Sequence, residues 1–333
     1  MNPQTLKIAL IGTGGWAGQH ARILAARPEV DFCAVVGRDP ERTAKRAADF
    51  GTRPYTSIET MLDEQKPDLV CVCLPNQHHF EPTLQLIEAK VPLLVEKPLV
   101  FEMEHARILI DAAHRRDLFF AINFNHRYAQ PLLMAHEAIN AGKLGEISFV
   151  TWRFGGEGSS DHPHANLIET QCHAFDQLEW LCGPVASVMA EMTNPTGRGF
   201  TTLSLALKFE NGAVGSLLGS YDSSYAYADT HRLEINGSKG RVVVSDTVRQ
   251  FSFQRAGDEN AQVWQAGYFN DEARQFQHTF DRHMDAVLKA FRAGETPPIP
   301  AEAGLRALQL ALACIESFQS GRRVEVPPPS AAF

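Results

Sequence analysis

An apolar run, Leu6 to Ile11, passes directly into Gly12-Thr13-Gly14-Gly15-Trp16-Ala17-Gly18 and then into a helical pattern that stops before Pro28. A chain that turns this tightly from strand into helix is committed to the opening unit of a parallel α/β sheet. The spacing Gly12-x-Gly14-x-x-Ala17 is the one a dinucleotide requires. Gly12 permits the turn, Gly14 lets the backbone approach a pyrophosphate, and Ala17 lets the helix pack on the strand. Thr13, Gly15 and Trp16 complete the turn, whose helix N-terminus faces the phosphates.

The pattern then repeats. Phe32 to Val36 predicts a second strand, tipped by Gly37-Arg38-Asp39-Pro40. An NAD-binding fold places an acidic side chain at this tip to hold the adenosine ribose. Here the position is Gly37, and Arg38 beside it suits a 2'-phosphate, so NADP(H) is favoured with NAD(H) as the alternative. In a second reading Arg38 stacks on adenine or faces solvent while Asp39 caps the next helix. Leu69 to Leu74 is continuously apolar, as in a parallel strand covered on both faces, and ends in Pro75-Asn76-Gln77-His78-His79. Leu93 to Val95 delivers Glu96-Lys97-Pro98, Glu102 to Arg116 has helical periodicity, and Leu118 to Ile122 closes a doubly wound domain spanning residues 1–124.

Length and charge narrow the rest. A chain of 333 residues fits two domains. A net charge of −8 argues against nucleic-acid and anionic-membrane partners, which reward basic surfaces. There is no apolar run of membrane-spanning length and no secretory pattern at the start, and the six cysteines are scattered as in a reduced protein. The expectation is a cytoplasmic protein with no metal framework.

Four motifs together, Gly12-x-Gly14-x-x-Ala17, Pro75-Asn76-x-x-His79, Glu96-Lys97-Pro98 and Asn125-x-Arg127-Tyr128 before Pro131, resemble those of the glucose-fructose oxidoreductase and inositol dehydrogenase family (Gfo/Idh/MocA). The resemblance covers nearly the whole length. It implies an N-terminal Rossmann domain with a doubly wound parallel sheet, and a C-terminal α+β domain (125–333) with a large, mostly antiparallel open sheet for substrate binding and oligomerisation. It implies further that Pro75, Asn76 and His79 border the nicotinamide ribose, that Glu96 helps hold the cofactor, and that Lys97 serves the chemistry. Each has a plainer reading: Pro75 stops a strand, Asn76 starts a turn and His79 lies in a helix's first turn; Arg127 is read first as a structural ion pair or hydrogen bond, with cofactor or substrate contact second.

The second half supports the α+β expectation. Leu203, Leu205, Leu207 and Phe209 alternate with polar or small residues, and Asn211-Gly212 supplies a hairpin turn before Val214. Two late apolar stripes, from Phe276 to Phe291 and from Leu305 to Ile315, read as core helices. By the resemblance the open sheet face makes a subunit contact, giving a homodimer or homotetramer.

Glu169, His173 and Asp176 fall at i, i+4 and i+7 of an expected helix, so they share a face. By the resemblance His173 faces the nicotinamide and Asp176 is the aspartate three residues on. The chain departs from the family pattern in carrying Glu169-Thr170-Gln171 where many members have Asp-x-Gly. His173 is then the general base in alcohol oxidation, or acid in carbonyl reduction, with Lys97 sharing the proton relay. Glu169, Asp176 and Lys97 bind substrate hydroxyls or orient the imidazole. The alternative is that His173 is a structural histidine paired with Asp176. His162 and His164, in a loop with no third ligand, do not make a metal site.

The resulting reading is an NAD(P)-dependent oxidoreductase acting on a small polyhydroxylated substrate, a sugar or cyclitol. Two rivals remain: a hydrolase of the same family that uses bound NAD transiently, and a nucleotide- and sugar-binding regulator without turnover.

Overall fold

The computed structural model describes residues 5–158, 161–267 and 275–329. Ser159 and Ser160 of the glycine-rich loop and the last residues of the proline-rich tail lie outside them. The chain divides into two compact units, Met1–Phe124 with Phe280–Leu305, and Asn125–Thr279 with Arg306–Phe333.

The first unit holds a parallel six-stranded sheet in the order β3-β2-β1-β4-β5-β6. Its strands are β1 (Leu6–Ile11), β2 (Val30–Val36), β3 (Arg53–Tyr55), β4 (Leu69–Val72), β5 (Leu93–Glu96) and β6 (Phe120–Asn123). The expected doubly wound sheet is therefore present. The order reverses at β1, so β1 and β4 flank the crevice where such sheets bind nucleotides. β4, β5 and β6 are buried at every residue, as a sheet covered on both faces demands. The helices are α1 (Gly15–Ala25), α2 (Pro40–Asp49), α3 (Ile58–Gln65), α4 (Phe80–Glu88) and α5 (Met103–His114). Asp39 caps α2 by accepting a 3.0 Å bond from the Arg42 N–H.

Residues 280–305 return to this unit. The edge of β6 is covered by 299–301: Ile122 N–H donates to Ile299 O at 3.1 Å, and Ala301 N–H to Phe120 O at 2.9 Å. Gly304 is required there, because a Cβ would stand 2.4 Å from Ile122 and 2.8 Å from Leu99.

The second unit holds a nine-stranded sheet in the order β14-β13-β12-β11-β7-β10-β9-β8-β15. The central strands are β7 (Ile147–Gly155), β8 (Val185–Thr193), β9 (Thr202–Phe209), β10 (Val214–Ser220) and β11 (His231–Gly237). β12 (Gly240–Ser245), β13 (Gln250–Arg255) and β14 (Ala261–Gln265) extend one edge, and β15 (Val324–Glu325) closes the other. Only β7 and β10 pair in parallel, so the sheet is mostly antiparallel, as expected. Period-two alternation puts Trp152, Leu205, Leu217 and Ile235 on a buried face. The opposite face leaves Phe149, Val214 and Leu218 40%, 50% and 45% exposed. The remaining helices are α6 (Gln130–Asn140), α7 (Cys172–Cys182), α8 (Gln277–Ala293) and α9 (Glu302–Ser320).

Candidate active site

In the first unit the glycine turn is shaped for close approach. Gly12 has φ +130°, and a Cβ there would lie 1.9 Å from Cys73 O, so no other residue fits. At Gly14 and Gly15 a Cβ would meet nothing within 4 Å. That openness admits a ligand against the backbone. Gly14 is the N-cap of α1 and offers no side chain to its first N–H groups, which suits an anion at that helix end. The turn is braced by Arg46, whose guanidinium donates to Thr13 O and Gly14 O at 3.3 and 3.4 Å and lies over Gly18. Trp16, 54% exposed, stacks on Phe280 with centroids 5.5 Å apart. These residues fit a dinucleotide phosphate.

At the tip of β2, a Cβ on Gly37 would lie 2.4 Å from Thr43 Oγ1 and 2.7 Å from Thr13. The acidic residue that usually holds the ribose is thus sterically barred here. Arg38 is exposed beside it, and Asp39 is engaged as a cap.

Glu96 and His79, assigned to cofactor contacts from the resemblance, are buried and bonded within the protein. His79 is 1% exposed, with Nδ1 2.8 Å from Pro98 O and Nε2 3.0 Å from Leu74 O. It ties the end of β4 to the turn after Lys97. Burial lowers its pKa against the opposing pull of those carbonyls. Pro75 and Asn76 open a short 3-10 turn and remain partly accessible.

The Glu96 carboxylate is the hub of a buried polar chain. His20 Nε2 lies 2.7 Å and Asn123 Nδ2 2.6 Å from Oε1, while Lys97 N–H donates to Oε2 at 3.1 Å. Asn123 Oδ1 in turn meets His283 Nδ1 at 2.5 Å. Burial alone would raise the Glu96 pKa, but His20, Lys97 and Asn123 outweigh it and hold the carboxyl below its usual range. An anion is thereby fixed in the backbone position next to Lys97. His20, Cys73 and Glu96 offer ligand atoms within 4.8 Å of one another. The carboxylate is already surrounded by donors, however, and burial pushes the Cys73 thiol well above its ordinary pKa, so the trio reads as polar core.

In the second unit the expected shared helical face is modified. Asn166–Thr170 is a turn of π-helix, with Gln171 N–H donating to Asn166 O at 2.9 Å, and α7 begins only at Cys172. The wider turn shifts Glu169 out of phase with His173 and Asp176, so the i, i+4, i+7 stripe holds only from His173 onward. Thr170 in this turn bonds the Tyr221 hydroxyl at 2.7 Å. Burial raises the Tyr221 pKa. Gly158 passes over that ring so closely that a Cβ would meet it at 2.6 Å.

Asp176 is held by an arginine. Arg127 Nε and Nη2 donate to its two oxygens at 2.8 and 2.6 Å, and the carboxylate side chain is 1% exposed. Burial raises its pKa and Arg127 opposes the rise. The plainer reading of Arg127 as a structural ion pair agrees with this geometry. His173 is buried, its ring stacked on His126 with centroids 3.8 Å apart and planes 10° apart. His162 Nδ1 accepts from His164 N–H at 3.2 Å, and His164 stacks on Phe200.

Residues 6–124 match the oxidoreductase family with an NAD-binding Rossmann fold (GFO_IDH_MocA), and 136–326 match its C-terminal alpha/beta domain. The chain belongs to the Gfo/Idh/MocA family. It is an NAD(P)-dependent oxidoreductase of that family. Among its relatives, myo-inositol 2-dehydrogenase of Thermotoga maritima is 23% identical over 96% of this chain and 98% of that one. D-glucoside 3-dehydrogenase of Escherichia coli K12 is 33% identical over 46% of this chain and 44% of its own. A solved levoglucosan dehydrogenase, in complex with NADH, shares the fold with a TM-score of 0.87 at 20% identity, covering 97% of this chain and 99% of that one.

Sequence reasoning missed His20, Asn123, His126, Gln177 and His283. Each is a polar residue at an apolar-face position, at a strand end or, for His126, in a short 3-10 turn, a pattern that marks buried hydrogen bonding without naming partners.

Proposed function

We propose that this oxidoreductase interconverts a secondary alcohol and a ketone on a sugar, cyclitol or related polyhydroxylated substrate. The observation that carries this is Lys97, set at the end of β5 in an NAD-binding fold beside a buried anionic Glu96. The names of its relatives, inositol and glucoside dehydrogenases, support the substrate class.

When bound, the nicotinamide takes up or returns the hydride. The residues of the chain handle the rest. In the oxidative direction the substrate C–H electron pair leaves as hydride while the hydroxyl proton passes to His173, and the carbon–oxygen bond becomes a carbonyl. Lys97 shares the proton relay. Glu169 contacts substrate hydroxyls, whereas Asp176 is engaged by Arg127. Gly12, Gly14 and Gly15 hold the pyrophosphate with the α1 N-terminus, Thr13 and Ala17 shape the turn, and Pro75 and Asn76 border the ribose.

NADP(H) is favoured over NAD(H), because Gly37 excludes an acidic side chain and Arg38 is exposed beside it. The exposed apolar residues Phe149, Val214 and Leu218 support association of the chain with itself through the open sheet face. Six buried free cysteines suit a reducing, cytoplasmic setting.

The test follows nicotinamide absorbance with both cofactors against a panel of sugars, cyclitols and sugar acids, for wild type and Lys97→Ala. Turnover of one substrate class that the variant loses while still binding cofactor is expected. Cleavage of an aryl glycoside with no net redox change would transfer the assignment to the hydrolase, and undiminished turnover in the variant would remove Lys97 from the mechanism.

A further inference from the structure

The short turn Asn125–Tyr128 is fastened to its surroundings residue by residue. Asn125 donates to Thr279 Oγ1 at 2.6 Å, His126 stacks face to face on His173, and Arg127 clamps Asp176 on the next turn of α7. Of these, the His126 contact bears directly on the group that exchanges the proton.

Gln177 settles the state of that contact. It lies four residues after His173 on α7, on the same helical face and fully buried. Its amide nitrogen donates to His173 O at 2.9 Å and lies 3.3 Å from His126 Nδ1. A backbone carbonyl can only accept, so the side of the amide that faces it must be the NH2 group; the flipped amide would set two oxygens against each other. Gln177 Oε1 is buried without a hydrogen-bond partner among the described residues, so nothing on that side pulls the amide the other way. The NH2 group therefore also faces His126 Nδ1, which must present a lone pair. The His126 proton is then on Nε2, and the ring is neutral.

We propose that Gln177 locks His126 as a neutral platform, so that in the stacked pair the proton is carried by His173 alone. This rests on the reading of His173 as the proton-transferring group. Two imidazolium rings at a 3.8 Å separation would repel, and a His126 free to protonate would oppose proton uptake by His173. Phe276 and Phe154 meet the His126 ring edgewise, and His231, 6.0 Å away, is held uncharged by burial, its pKa pushed down to about 4 against the pull of Asp246. Arg127 and Asp176 neutralise each other, and Glu169 lies on the adjoining turn. His126 and Gln177 are positioning residues: they fix the plane and the protonation partner of His173.

The test has two arms. Imidazole 15N shifts of histidine-labelled protein, with His126 assigned through His126→Phe, should show His126 protonated at Nε2 only across about pH 5–8, the range in which histidines ordinarily titrate. A His126 that carries its proton on Nδ1, or that charges within that range, overturns the proposal. In the kinetic arm, His126→Ala and Gln177→Leu should each lower kcat about tenfold through misplacement of His173 while KM stays within about twofold, and His126→Phe, which keeps a flat ring, should recover most of the loss. Full kcat in His126→Ala, or His126→Phe as impaired as His126→Ala, also overturns it. A failure of the functional reading looks different: His173→Gln would retain turnover while the 15N result stands.

Discussion

Arg127→Met removes the counter-charge of a carboxylate whose two oxygens, among the described residues, are bonded by Arg127. Asp176 accepts bonds of 2.6 and 2.8 Å from Arg127, and its side chain is 1% exposed, so water cannot replace the guanidinium without opening the fold. Two charge-assisted bonds at about 1.5–3 kcal/mol each sum to about 3–6 kcal/mol, and deletion of one partner of a buried pair costs about 3–5 kcal/mol, which is the loss expected here. Loss of the Arg127 contact with the Trp180 ring, 5.3 Å away, adds at most about 1 kcal/mol. The loss carries a pH signature. Burial already raises the Asp176 pKa, and Arg127 is the chief influence holding it down. Without Arg127 the folded-state value rises further above the unfolded one. Between those two values the folded protein binds more protons than the unfolded, so stability falls as pH increases and is flat once both states are ionised. The variant should therefore be more stable at about pH 5 than at about pH 8 relative to wild type, and adding Asp176→Asn should abolish that difference and recover much of the loss. Urea unfolding followed by circular dichroism and tryptophan fluorescence measures both. A loss under about 1 kcal/mol, an equal loss at both pH values, or no recovery in the double variant would refute the reasoning.

Three further outcomes are expected. Gly12→Ala should fail to give stable protein, since its Cβ would meet Cys73 O at 1.9 Å, whereas Gly14→Ala should keep the wild-type melting temperature and lose cofactor affinity; unchanged cofactor binding in Gly14→Ala would dissociate that turn from the phosphates. His231 has its pKa lowered from 6.5 to about 4 by burial, so the unfolded state protonates first as pH falls. Its contribution of roughly 3 kcal/mol is present in full above about pH 6.5 and lost towards pH 4; acid unfolding curves of wild type and His231→Gln should diverge across that window, and parallel curves would contradict it. Arg38→Ala should raise the KM for NADP+ about tenfold, a cost near 1.4 kcal/mol, and leave that for NAD+ nearly unchanged; an equal effect on both would end the case for a 2'-phosphate at Arg38.

Much of the architecture was legible because it is written in short periods. The continuous apolar runs at Leu69 and Leu93 could only be covered parallel strands, and the alternation from Leu203 to Phe209 announced a sheet with one wet face. The glycine turn was legible because Gly12 has no substitute at its φ. What periodicity does not encode is partnership. Nothing near His20 in sequence points to Glu96, 76 residues on, or near Asn123 to His283, 160 residues on. The π turn at Asn166–Thr170 was invisible for a related reason: a single extra backbone residue in one turn leaves the composition of a helix unchanged while rotating Glu169 away from the stripe it was assigned to. Asp176 was read as a substrate or imidazole contact and lies against Arg127, since a carboxylate's spacing does not say which of its neighbours will occupy it.

The return of residues 280–305 to the first unit makes that unit discontinuous in the gene. The nascent chain can complete β6 long before Ile299 and Ala301 emerge to cover its edge and before His283 arrives to bond Asn123. A single crossover at Phe124 between this gene and a relative would join one parent's sheet to the other parent's edge cover. Shuffling the nucleotide-binding half as a working module therefore calls for two splice points, with the second pair of boundaries flanking 280–305.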